Sequence, residues 1–179
     1  MNYRIIAIIG PKRCGKDTLA NYISEKYGYE KVKFADPLKK TVQALFNFTN
    51  EQLEDDIKDI VDPRWNITPR KALQFFGTEI MQYKIQELLP NIDRKFFVKS
   101  IINNLDPNKN YIISDMRFYH EYEEIIKLNP LIIKITRPDL LATDLHPSEI
   151  EYRSIPHNIH IINDKDMSAL INKFDTIFL

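Results

Sequence analysis

A chain of 179 residues is long enough to bury one self-sufficient core. Its 25 basic and 25 acidic side chains cancel, which argues against a generally basic nucleic-acid binder, and its one cysteine, Cys14, excludes an intrachain disulfide or a cysteine-built zinc centre. No apolar run is long enough for a signal-peptide core or a membrane span, so the expectation is a cytoplasmic protein that engages neither membrane nor nucleic acid.

Strand and helix patterns alternate along the chain. Residues 3–9, YRIIAII, form a continuous apolar run, as expected of a strand buried on both faces. Residues 16–27 place Leu19, Ala20, Ile23 and Tyr27 on one helical face, and Gly28 stands where that helix should stop. A second strand is predicted over 29–35. Asp36 and Pro37 read as an N-cap and a first-position proline of a helix running towards Phe46. The acidic stretch 49–61 is predicted helical and is broken by Asp62-Pro63, with Trp65 in the loop beyond. Thr68-Pro69 caps a long helix, bent at Gly77, that ends before Pro90; another helix covers roughly 94–105. Strands are predicted at 111–114, 131–136 and 159–162, with helices at 119–128 and from Asp166 onward. The polar, irregular stretch 137–157 has the character of a mobile lid. Five short strands with interleaved helices predict an α/β fold on a parallel sheet. The single predicted domain has a core at about 1–36 and 107–179, and a helical insert at about 37–106 suited to a second substrate.

Chemistry enters at residues 10–18, GPKRCGKDT. A buried strand precedes them and an amphipathic helix follows, the context of a phosphate-binding loop. Gly10 and Gly15 permit a tight turn, backbone N–H groups from Arg13 to Thr18 turn inward, and Lys16 reaches the β- and γ-phosphates of a nucleotide. Lys12 and Cys14 belong to the same loop, Cys14 chiefly through its backbone and packing. Asp17 stands where a hydroxyl residue normally meets Mg²⁺, and Thr18 follows one step late. Either serves as a hard oxygen donor, and Asp17 also suits a helix N-terminus that only complements the dipole.

Further candidates lie where strands end, the usual location of sites in open α/β sheets. Asp36 and Lys39 in FADPLKK follow the second strand. Arg70, Gln74, Gly77 and Thr78 in RKALQFFGTE recur at spacings of three and four, a helical face suited to a phosphate and a base edge. Asp115 ends the third strand, where a carboxylate orients Mg²⁺ or its waters, and Arg117 follows two residues later. Arg137 ends the fourth strand, and Arg137 and Arg153 are placed to close over a transferring phosphate. His146 reads as a lid hydrogen-bonding residue.

GPKRCGKDT, FADPLK, RKALQFFGTE, DMRFYHE, TRP followed by HPSE, and IINDKDMSAL together resemble, in order and over nearly the whole chain, the phage- and virus-type deoxynucleoside monophosphate kinases. The resemblance implies the P-loop nucleoside monophosphate kinase-like fold, a three-layer α/β/α arrangement with a five-stranded parallel sheet. It implies transfer of the ATP γ-phosphate to a dNMP with Mg²⁺ as cofactor, in a host cytoplasm if the source is viral, and it leaves a homodimer open. It assigns ATP to residues 12–18, makes Asp17 a family feature, and assigns Lys39, Arg70, Gln74, Gly77, Thr78, Asp115 and Arg117 to the monophosphate. Phe97 matches an aromatic position near the nucleotide. Two rivals stay open from the residues alone: a P-loop kinase for another phosphorylated acceptor, of the phosphomevalonate type, and a nucleotide-binding regulator without turnover. The guanine-reading pattern NKFD at 172–175 is set aside, because it falls inside a predicted amphipathic helix.

Overall fold

The apolar runs assemble into one parallel sheet of five strands: β1 (Ile5–Ile9), β2 (Glu30–Val32), β3 (Tyr111–Ile113), β4 (Leu131–Thr136) and β5 (Ile159–Ile162). Their order is β2-β3-β1-β4-β5. Ile5 pairs with Tyr111 on one side of β1, and Ile9 pairs with Lys134 on the other. The central β1 is buried at all five positions, which is why its sequence is a run of aliphatics without alternation. β2 lies at an edge, with Glu30 and Lys31 exposed. The structure is a computed structural model and describes residues 4–54, 56–140 and 150–178.

Among the described residues, six α-helices accompany the strands: α1 (Lys16–Tyr27), α2 (Asp36–Phe46), α3 (Pro69–Gln74), α4 (Phe96–Ile102), α5 (Tyr119–Ile125) and α6 (Met167–Phe178). The chain divides into two compact units, residues 1–33 with 101–179, and residues 34–100.

The first unit contains the sheet. α1 buries Leu19, Ala20 and Ile23 on the sheet core, and Gly28 caps its end in the left-handed region, its N–H donating to the Ser24 carbonyl. Phe174 of α6 is fully buried and meets the rings of Tyr22 and Tyr27 edge-on. Asp175 beside it accepts from the Tyr22 and Tyr27 hydroxyls at 2.5 and 2.9 Å and pairs with Lys26 at 2.7 Å. The last two residues of NKFD therefore tie α6 to α1, while Lys173 donates to the Ile162 carbonyl and pairs with Asp164.

The second unit packs α2 and α3 around Val42, Phe48, Leu53 and Ala72. Gly77 is buried against Leu38; a Cβ there would lie 2.8 Å from Leu38 Cδ2. Asp62 is buried, and it is satisfied by Arg64 and by Gln52.

Several predicted elements are corrected. The second strand spans 30–32 only, because residues 34 and 35 already turn towards α2. Ala35 is the N-cap of α2, so Asp36 is its first residue and Pro37 lies in its first turn. The stretch 49–61 forms two single 3₁₀ turns, Glu51–Leu53 and Ile57–Asp59. Only Leu53 among those six residues is buried, so no apolar stripe holds a helix there. Thr68 does cap α3, accepting from the Lys71 N–H, but the long helix changes type after Gln74. Residues Phe75–Tyr83 are π-helical and Lys84–Glu87 are 3₁₀. The helix expected at 94–105 is shorter, Phe96–Ile102. Among the described residues no helix is long and apolar enough to cross a membrane.

Candidate nucleotide site

In the first unit, the carboxyl ends of the strands converge around β1, where the connections diverge to opposite sides of the sheet. The loop leaving β1 needs its glycine at once. Gly10 has φ 149°, and a Cβ there would sit 2.2 Å from the Ile135 carbonyl oxygen of β4. The Cys14 N–H donates to the Pro11 carbonyl at 3.3 Å and closes a turn, so this amide serves the loop itself. Cys14 is fully buried, as packing required.

Lys16 is buried, and its ammonium lies on the loop's own backbone. Nζ donates to the Gly10 and Pro11 carbonyls at 2.8 and 2.6 Å. A buried cation needs such partners to offset its desolvation. Asp17, in the first turn of α1, is exposed; its Oδ1 accepts from the Ser114 hydroxyl at 2.9 Å and pairs with the Lys33 ammonium at 3.0 Å. Desolvation by the surrounding protein works against its ionised form even though much of the side chain meets solvent, but Lys33, Ser114 and Lys16 outweigh it and hold the Asp17 carboxyl below the usual range.

A cleft of about 370 Å³ opens on this loop. It is lined by Arg13, Gly15, Lys16, Asp17 and Thr18, by Arg137 beyond β4, and by Asn163, Lys165, Asp166, Met167 and Leu170 from the end of β5 and the start of α6. Cationic side chains outnumber the carboxylates on this wall, which suits a polyanion. Lys12 is exposed and is not part of the lining. Asn163 braces the wall: its Nδ2 donates to the Cys14 carbonyl at 3.0 Å, and its backbone N–H donates to Thr136 at 2.8 Å.

Asp115 and Arg117 follow Ser114 beyond β3 and are both half-buried. Glu121 lies beneath them. It is buried, and its Oε2 accepts from the Arg117 and Phe118 amides at 2.8 and 3.0 Å. Burial, reinforced by the Asp115 charge and opposed by those two amides and Arg117, pushes the Glu121 carboxyl up to about 8.

The remaining candidates lie in the second unit. Lys39 pairs with Glu54 at 2.5 Å, and Arg70 makes a two-point pair with Asp59 through Nε and Nη2. Asp36 and Thr78 are half-buried and Gln74 is exposed. The π-helical stretch begins between Gln74 and Gly77, so the face inferred from α-helical spacing does not continue through Thr78. Phe97 is half-buried and meets Phe96 edge-on at 5.6 Å. Arg153 is exposed in a 3₁₀ turn, and its carbonyl accepts from Lys134. Of the lid expected at 137–157, residues 141–149, including His146, lie outside the described residues.

Sequence reasoning passed over Lys33, Ser114, Asn163 and Lys165. All four lie at or just beyond a strand's carboxyl end, and that position was the available signal.

A chain-wide likeness accompanies this geometry. A protein of Acanthamoeba polyphaga mimivirus, provisionally named a deoxynucleotide monophosphate kinase, is 35% identical over 179 residues, covering 94% of this chain and 93% of its own. Among solved structures, a dephospho-CoA kinase from Campylobacter jejuni superposes with a TM-score of 0.52 at 13% identity, covering 98% of this chain and 95% of its own, a likeness of fold alone. The family model for deoxynucleotide monophosphate kinases matches residues 4–55 and 43–174. With a P-loop-like parallel sheet, a lysine-bearing loop after β1 and these matches along almost its whole length, the chain belongs to the deoxynucleotide monophosphate kinase family, a family of phosphotransferases.

Proposed function

We propose that this kinase transfers the γ-phosphate of ATP to a deoxynucleoside monophosphate, giving the diphosphate, with Mg²⁺ as the required cation. The observation that carries the reading is Lys16, a buried ammonium held on the Gly10 and Pro11 carbonyls at the floor of a cationic cleft. A phosphate oxygen of the acceptor is already ionised near neutral pH, so no strong base is required. Catalysis then reduces to positioning and charge neutralisation, supplied by Lys16, Arg137 and Arg117.

Asp17 and Thr18 would hold the Mg²⁺, with Asp115 orienting its waters. Their oxygens are the hard donors this cation prefers. The Lys33 ammonium, 3.0 Å from Asp17 Oδ1, marks that oxygen as one that accepts a cation. When bound, Mg²⁺ supplies charge neutralisation at the donor's phosphate oxygens. In the second unit, Lys39 and Arg70 are the cations proposed for the acceptor phosphate, with Asp36, Gln74, Gly77, Thr78 and Phe97 shaping its surroundings. The family membership and the 35% identical relative favour this acceptor class over a phosphomevalonate-type one.

The test is ATP consumption and diphosphate formation with each of the four common dNMPs, their ribose counterparts and phosphomevalonate. Turnover is expected with one or more dNMPs. Lys16→Ala should lower kcat by about 10²-fold or more, and Arg70→Ala should raise the acceptor KM well above any change in the ATP KM. Turnover with phosphomevalonate alone, or an unchanged rate in Lys16→Ala, would overturn the reading.

A further inference from the structure

The turn after β3 is held by a group that the proposed chemistry does not use. Residues 114–118 leave the sheet without regular secondary structure, and yet carry Asp115 and Arg117. Such a segment needs partners for its backbone amides, or it adopts several conformations. Glu121 supplies two at once, from inside the protein, through a single oxygen that meets the Arg117 and Phe118 amides. The next amide, Tyr119 N–H, is met by Glu151 at 3.1 Å. The Glu121 side chain is buried, so water cannot easily replace it there. Its carboxyl also lies within electrostatic reach of both Asp115 and Arg117.

We propose that Glu121 is a positioning residue for phosphoryl transfer, fixing the turn 115–118 through the Arg117 and Phe118 amides and so setting where Asp115 and Arg117 meet the acceptor. The inference rests on the reading of Asp115 and Arg117 as acceptor-site residues. Glu121 touches no substrate and acts only through the backbone it holds. Its raised pKa means that the carboxyl spends much of its time protonated near neutral pH. The neutral isostere Gln, with one carbonyl oxygen for the same two amides, is therefore a close mimic.

The experiment compares Glu121→Gln and Glu121→Ala, each confirmed folded by circular dichroism, in steady-state kinetics and in amide hydrogen exchange read by NMR. In Glu121→Ala the Arg117 and Phe118 amides should exchange about 100-fold faster or more, while interior α1 amides stay protected. The acceptor kcat/KM should fall by about 10–100-fold with the ATP KM within about twofold, because a misplacement of about 1 Å is enough for such a loss. Glu121→Gln should restore both the protection and most of the rate. Amides that stay protected in Glu121→Ala, or a rate that stays normal once they are freed, would overturn the proposal. Should Glu121→Ala fail to fold, Glu121→Asp takes its place: its shorter reach should free the same amides and reduce the acceptor kcat/KM, and normal values for both would overturn the proposal. Asp115→Asn and Arg117→Ala run alongside; if neither alters the acceptor parameters, the acceptor reading itself fails, whereas the exchange data still judge the clamp.

Discussion

Replacing Gly10 by alanine is the sharpest perturbation that the structure offers. The new methyl would lie 2.2 Å from the Ile135 carbonyl oxygen, against ordinary contact at 3.4 Å or more, so loop and strand must part by about 1 Å. That carbonyl belongs to β4, which pairs with β1 on one side and β5 on the other and cannot retreat freely. The Cys14 sulfur, 2.8 Å from the same point, closes the second route of escape. Alanine must also adopt φ 149°, a region that L residues rarely visit. Overpacking of about 1–3 kcal/mol and backbone strain of about 1–3 kcal/mol combine to a loss of about 2–6 kcal/mol. For a chain of this size that lowers Tm by roughly 10 °C. Gly28→Ala is the control. Its φ is 72°, but nothing lies within 4 Å of the added carbon, so a cost of about 1 kcal/mol is expected. Urea unfolding of the two variants beside the parent, with ATP titrations on the folded protein, gives the answer. If Gly10→Ala lost no more stability than Gly28→Ala and kept its ATP affinity, the close approach of loop and β4 would not govern the site.

Asn163→Ala removes the brace on the Cys14 carbonyl and leaves that buried oxygen without this donor; stability should fall by about 1–3 kcal/mol, and the ATP KM should rise more than the acceptor KM. An acceptor-selective defect in that variant would contradict the placing of the donor nucleotide. The pH dependence of stability follows from Glu121, whose folded-state carboxyl binds its proton more tightly than the unfolded chain's, at about 8 against 4.5. Its contribution is full below about 4.5 and is lost as the pH rises through 8. Thermal melts from pH 5 to 9 should show the parent losing Tm relative to Glu121→Gln across that window, and parallel curves would refute the shift.

How far the sequence could be read depended on how local the signal was. β4 and β5 fall where the apolar runs predicted; β4, buried in the parallel sheet, announces itself by composition, and β5, at the edge with His160 and Ile162 exposed, was still marked by its isoleucines. The stretch 49–61 misled, because acidic residues with scattered Ile and Val resemble a helix surface while, among the described residues, only Leu53 is offered to a core. The switch to a π-helix after Gln74 is not carried by helix propensity, and the close approach of Gly77 to Leu38 joins residues 39 positions apart, which no local pattern contains. In the site, GPKRCGKDT was legible as a motif with its own spacing. Lys33, Ser114 and Asn163 were not, because each is an ordinary residue that gains a role only when the sheet brings strand ends together.

Lys16 already rests on the Gly10 and Pro11 carbonyls. A free lysine side chain has about 2 kcal/mol of rotamer entropy to lose when it grips an anion. Here that freedom is surrendered during folding. In the role proposed for Lys16, an arriving phosphate would meet an ammonium already in place and need only share it with two carbonyl oxygens, an exchange of partners that would leave the side chain's order almost unchanged. On that reading the loop is a socket wired before use, and the energy of gripping the nucleotide would remain available for the rest of the cleft to discriminate with.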